Sequence, residues 1–158
     1  AEIDGPVYIR VARPVCEDIT TEDTPFIPGK ANILKDGNDV CIITMGLMVP
    51  IVLKAAEMLE AEGISAAVVN MHTVKPIDAE TILAMNEKCK GIVTAEEHSV
   101  IGGLGSAVAE VLAGHAGAKF ERVGIQDKFG KSGKPDELFA AYGLTAENIV
   151  EKCKATLA

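Results

Sequence analysis

The chain has 158 residues, 48% hydrophobic and 24% charged, with 15 basic against 23 acidic side chains and a net charge of −8. That is enough for one domain with a real core, and the acidic balance opposes adhesion to nucleic-acid phosphates or anionic membranes. No run of about 18 apolar residues is present to cross a bilayer, no secretion leader is read at the start, and Cys16, Cys41, Cys89 and Cys153 lack a C-x-x-C spacing, which reads as reduced thiols in a cytoplasmic protein.

GPVYIRVARP (5–14) predicts a β-strand, with β-branched and aromatic residues between a Gly-Pro turn and Pro14. It stands alone. The next stretch, VCEDITTEDTPFIPGK (15–30), is acidic, threonine-rich and punctuated by Pro25, Pro28 and Gly29, which makes it a linker. A lone strand cannot satisfy its edges or bury its faces, so its sheet is expected upstream. A start at Ala1 rather than Met fits a truncated or processed chain.

From residue 31 the pattern is regular. ANILK (31–35) predicts a short strand ended by DGND, and VCIITMG (40–46) a strand buried on both faces. In 50–63, Val52, Ala55, Ala56 and Leu59 share one helical stripe, with Pro50 in the first turn and Gly63 at the stop. A buried strand follows over 64–71, then a helix capped by Asp78 that runs to about Cys89, a strand over 91–97 and a helix over 105–115. A strand over 119–125 and two closing helices, PDELFAAYG and TAENIVEKCKATL, complete the chain. Alternation of this kind predicts an α/β protein, a three-layer α/β/α sandwich with a mixed, mostly parallel sheet of about five strands. The short turn between the strands at 31–35 and 40–46 predicts that these two pair antiparallel.

Three stretches invite a chemical reading. GIQDKFGKSGK (124–134) ends like a P-loop in Gly130-Lys131-Ser132, but the required first glycine falls on Ile125 and Gly124 is one residue early. Asp127 would sit inside the anion cradle. An ordinary glycine-rich connector is the better reading. IGGLGSAV (101–108) resembles a dinucleotide fingerprint, with Gly103 and Gly105 in the first two places but Val108 in the third. Its glycines also suit a tight turn into a helix whose N-terminus could attract an anion or pack on a partner. In EEH (96–98), Glu96 or Glu97 is a candidate general acid or base, and His98 could pair with His72 around a metal. A hydrogen-bonded interface is the plainer alternative. Lys75 reads as a solvated loop lysine. Arg10 and Arg13, three residues apart, point to opposite faces of their strand. A guanidinium there suits a phosphate, with a surface ion pair as the alternative.

GPVYIRVARP, MHTVKPID, VTAEEHSVIGGLGSAV and DKFGKSGKPDELFAAYGLTAENIV, in this order, resemble the end of transketolase-type thiamine diphosphate enzymes. The likeness is to the C-terminal part of the small subunits of split transketolases and covers nearly the whole chain. It implies that 1–14 is the last strand of a pyrimidine-binding domain whose body is absent, 15–30 a linker, and 31–158 a transketolase C-terminal domain. It also implies that Arg13 binds substrate phosphate in the intact enzyme. The family's catalytic glutamate would lie upstream. Its metal-holding Gly-Asp-Gly has no counterpart, since KDGND lacks the first glycine. No catalytic, cofactor-binding or metal-binding residue is therefore expected in this chain. Thiamine diphosphate and Mg²⁺ would belong to the intact enzyme, which transfers a two-carbon ketol unit between sugar phosphates. The isolated chain would be inactive and serve subunit structure and homodimerisation, with Glu97, His98, Gly102 and Gly103 as the candidate interface. Deoxyxylulose-phosphate synthase and the β subunit of a 2-oxoacid dehydrogenase share this domain and are the alternatives within the superfamily. A non-catalytic interaction or regulatory module is the alternative of another class.

Overall fold

The computed structural model describes residues 3–158. Its elements are β1 (Asn32–Lys35), β2 (Val40–Thr44), α1 (Met48–Ala61), β3 (Ala66–Asn70), α2 (Ala79–Lys88), β4 (Gly91–Ser99), α3 (Leu104–Leu112), β5 (Lys119–Ile125), α4 (Pro135–Ala141) and α5 (Ala146–Leu157). The strands form one sheet in the order β1-β3-β2-β4-β5. β2 runs parallel to β3 and β4, β4 parallel to β5, and β1 antiparallel to β3.

Period-two alternation divides the apolar strands between two cores. Val40, Ile42, Val68, Val93, Ala95 and Val123 face α1 and α5, whose Val52, Ala56, Leu59, Ile149 and Cys153 cover them. Cys41, Ile43, Val69 and Ile92 face α2 and α3, covered by Ile82, Met85, Leu104 and Val108. The result is the expected three-layer α/β/α sandwich with a mixed, mostly parallel sheet. Burial pushes the Cys41 thiol well up and that of Cys153 to about 12, which leaves both as inert packing groups.

One expected pairing is wrong. β1 lies beside β3, not β2. β2 is apolar on both faces and takes a parallel neighbour on each edge, whereas the four-residue β1 leaves Ile33 51% exposed and belongs on the rim. The connecting turn passes over the start of β3. A Cβ on Gly37 would stand 2.3 Å from Ala66 C and Ala67 N, so only glycine permits the crossing. Asn38 N–H donates to Ser65 Oγ (3.1 Å), Ser65 N–H to Asp39 Oδ2 (2.8 Å), and Asp39 N–H to Ser65 O (2.9 Å).

The strand expected over 5–14 forms no ladder. The sheet of the described residues is complete without it, and Tyr8 is 88% exposed. The linker behind it is tied down at its C-terminal end. Asp78, 3% exposed, accepts from Ala31 N–H (2.8 Å), Thr81 N–H (3.1 Å) and the Thr81 hydroxyl (2.8 Å). One carboxylate thus caps α2 and fixes the entry to β1. Lys30 reinforces the joint, 2.7 Å from Glu80 and 3.9 Å from Asp78. Burial alone would raise the Asp78 pKa, but the Ala31 and Thr81 hydrogen bonds, with the charge of Lys30, outweigh it and leave the carboxyl below its usual value.

Asp78→Ala is expected to cost about 1–2 kcal/mol from the lost cap, read as a lower urea midpoint. Because the folded-state pKa is depressed, this contribution is full above about pH 4 and is lost as pH falls through the folded value. The acid limb of a stability–pH profile should therefore be shallower in Asp78→Ala than in the parent chain.

Candidate functional site

The carboxyl edge of the parallel strands gathers the residues singled out from the sequence, and β4 shapes it. β4 pairs with β2 as far as Ala95 and continues alone against β5, rejoining it at Ser99 opposite Ile125. The first side chain past Ala95 is Glu96, only 2% exposed. Its Oε2 accepts from Leu104 N–H (2.7 Å) and its Oε1 from Gly105 N–H (2.8 Å), the first two free amides of α3. Charge-assisted hydrogen bonds and the positive end of the helix dipole both favour a carboxylate there.

The approach requires glycine. A Cβ on Gly103 would lie 2.0 Å from Glu96 Oε2 and 2.9 Å from His98 Nδ1. A Cβ on Gly105 would lie 2.7 Å from Arg122 Cδ and 2.8 Å from Thr94 Oγ1, so α3 rests directly on the sheet. The turn between β4 and α3 is bonded throughout. Gly102 N–H donates to Ser106 Oγ (2.9 Å), while the Ser106 hydroxyl (3.1 Å) and Arg122 Nη1 (2.9 Å) both donate to Val100 O. Ile101 stands out at the apex, 62% exposed.

This geometry decides several sequence readings. The helix N-terminus of IGGLGSAV, where a dinucleotide phosphate would bind, already holds the protein's own carboxylate. For the same reason Glu96 is not a free general acid or base. His72 and His98 are not on neighbouring strands, because β2 lies between β3 and β4. His98 Nδ1 instead lies 2.8 Å from Ser99 O, and His72 Nδ1 lies 2.9 Å from Thr73 Oγ1. Residues 126–134 form an exposed connector, and α4 starts at Pro135 rather than at Lys131. The connector is held by the Tyr142 hydroxyl, which donates to Phe129 O at 2.8 Å.

Of the expected interface residues, Glu97, His98 and Gly102 lie on the outside of the β4–α3 corner, while Gly103 turns inward onto Glu96. Arg13 is exposed on the N-terminal segment, and Arg10 of that segment reaches to 4.0 Å from Glu97. The sequence reading missed the part of Glu96 as the partner of α3. Its signal was a carboxylate eight residues ahead of a Gly-Leu-Gly helix start. It also missed a groove of about 560 Å³ beside β5, lined by Arg122, Gln126, Tyr142 and Asn148 and by the Glu121–Lys152 ion pair (2.9 Å).

A divalent cation carrying a diphosphate needs converging oxygen donors. The two buried carboxylates of the described residues, Asp78 and Glu96, are both committed to backbone amides. No group of three or more His, Cys, Asp or Glu side chains converges among the described residues. These residues do not fit a metal–diphosphate.

Glu96→Ala would leave two buried amides unpaired, at about 1–3 kcal/mol each. Gly103→Ala, whose Cβ crowds Glu96 Oε2 without removing it, should cost about 1–3 kcal/mol by overpacking. Ile101→Ala, at an exposed apex, should stay within about 0.5 kcal/mol. Urea midpoints of the three variants check this order.

Residues 29–149 match the family described as transketolase, C-terminal domain. The chain is 49% identical over 147 residues to the 6-deoxy-6-sulfo-D-fructose transketolase subunit SqwH of Clostridium sp. (strain MSTE9), covering 93% of this chain and 46% of that protein. It is 37% identical over 157 residues to the 1-deoxy-D-xylulose-5-phosphate synthase of Symbiobacterium thermophilum, covering 98% of this chain and 24% of that one. Among solved structures, one titled as a split gene transketolase, inactive beta4 tetramer, superposes with a TM-score of 0.94 at 48% identity, covering 99% of this chain and 51% of that chain. The chain thus spans about half the length of that transketolase subunit and of that split gene transketolase chain, and it belongs to the transketolase C-terminal domain family.

Proposed function

We propose that this chain is the C-terminal part of a split transketolase subunit. The assembled enzyme transfers a two-carbon ketol unit between sugar phosphates with thiamine diphosphate and Mg²⁺. The observation that carries this reading is the near half identity, over almost the whole chain, to a protein named as a transketolase subunit and to one titled as a split gene transketolase, each about twice as long. The likeness to the synthases is weaker, at 37–41%. In this reading the cofactor is held by domains outside the chain, on the same or a separate subunit. The chain alone is inactive and works in the cytoplasm as a scaffold within a multimer. No helix among the described residues is long and apolar enough to cross a membrane.

Two sites follow from this reading. Arg13, on an exposed segment rich in apolar side chains, binds the phosphate of the sugar substrate once that segment is seated in its own domain. The outward face of the β4–α3 corner, with Glu97, His98 and Gly102 around Ile101, contacts a second subunit. Gly103 supports that face from beneath, so a bulky residue there would weaken association only by displacing Glu96.

A thermal-shift measurement tests the first part. Thiamine diphosphate with Mg²⁺ should leave the melting temperature of this chain unchanged. A ligand bound at 100 times its Kd would add about 2.7 kcal/mol, so a clear shift would place a cofactor site here and sink the reading. In the full-length subunit with its partner, Arg13→Ala should raise KM for the sugar phosphate about tenfold or more, as expected for a lost charged hydrogen bond, with kcat less affected. Ile101→Arg should shift the full-length protein toward smaller species in sedimentation velocity without lowering its melting temperature. An unchanged size distribution would remove the β4–α3 corner from the interface.

A further inference from the structure

The linker is not simply slack chain. Its last stretch, residues 24–30, lies as a strap across the carboxyl end of β3. The Phe26 ring stacks on His72, with centroids 4.4 Å apart and planes at 30°. Gly29 lies close against Pro76, and Lys30 and Ala31 bond to the head of α2. His72 is half-buried beneath the strap. Its Nδ1 faces Thr73 Oγ1 at 2.9 Å, but its Nε2 is shut off from solvent with no hydrogen-bond partner.

We propose that Phe26 and His72 form an acid-sensitive latch, which holds the strap on the sheet while the imidazole is neutral and loosens it when the ring takes up a proton. A neutral imidazole tolerates an unpartnered nitrogen. An imidazolium presents two donors, and one of them would be buried without an acceptor. The charged groups on the surrounding elements do not relieve this. Asp23 and Lys30 lie on the linker, Lys75 on the β3–α2 connection, and Asp78 and Glu80 at the head of α2. Lys30 is engaged with Glu80 and Asp78, and Asp78 with backbone amides. Burial lowers the pKa of His72. The ring regains water by leaving Phe26, and Phe26 leaves with the strap.

Linkage fixes the sign. Closing the strap lowers the ring's affinity for a proton, so a proton weakens closure by the same free energy. The strap is fully held above the open-state pKa, about 6.5, and loosens as pH falls through that value toward the lower pKa of the closed state. Loosening frees the joint between the segment that carries Arg13 and the five-stranded domain.

NMR on this chain tests both halves. Of its three histidines, His98 and His115 are exposed and serve as internal references. In Phe26→Ala the His72 pKa should rise toward about 6.5 while the other two stay put. Amide order parameters of Phe26, Ile27, Gly29 and Lys30 should drop below about 0.6 between about pH 7.5 and pH 5.5 in the parent chain, the range in which histidine titrates. They should stay high in His72→Phe, which keeps the stack and removes the proton site. A His72 pKa that is unchanged or lower in Phe26→Ala would overturn the proposal, the lower value indicating that the ring face favours the cation. Acid loosening that persists in His72→Phe would also overturn it and assign the effect to the Lys30–Asp78–Glu80 group. Phe26 is 71% exposed, so its truncation should leave the melting temperature of the body unchanged and the titration readable.

Discussion

The carboxyl edge of this domain is organised by one buried carboxylate. Glu96 leaves the sheet where β4 outruns β2 and meets the first two amides of α3, so its position fixes where the helix starts and how closely it approaches. Gly103 and Gly105 are needed because of it and of Thr94 and Arg122 beneath the helix. The turn over 99–103 takes its shape from the same approach, through Ser106 and Arg122 on Val100 O. A helix N-terminus filled by the protein's own anion has no place for a ligand's phosphate. A glycine pattern that suggests cofactor binding therefore serves here to bring a helix down onto a sheet.

Asp78 plays the matching part at the head of α2, the helix beside α3 on the same face of the sheet. It too is a buried acid that accepts backbone amides, and it joins two parts of the chain 47 residues apart, the end of the linker and the head of α2. With both buried acids so engaged, the charge chemistry at this edge supports the frame.

The exposed apolar segment at 5–14 contrasts with the closed core that holds the inert thiols. Val7, Tyr8, Ile9 and Val11 are each more than half exposed, while the core around Cys41 and Cys153 is closed and well packed. A segment of that composition gains a stable place only by joining a sheet, because isolated strand edges and faces are poorly satisfied in water.

What the sequence determined by itself was local. Five doubly buried or rim strands, the helices between them, the Asp78 cap and the layer architecture follow from periodicity and punctuation, which act over a few residues. The boundaries of β5 and the unlikeness of 124–134 to a phosphate loop were equally plain, since spacing alone decides them. The tertiary structure decided everything that joins residues far apart in the chain. The place of β1 beside β3 depended on Gly37 crossing the peptide of Ala66, the separation of His72 from His98 on β2 lying between their strands, and the burial of Glu96 on α3 folding back over β4. The stack of Phe26 on His72 spans 46 positions. Such contacts are set by how whole elements pack, and no pattern within a few residues encodes them.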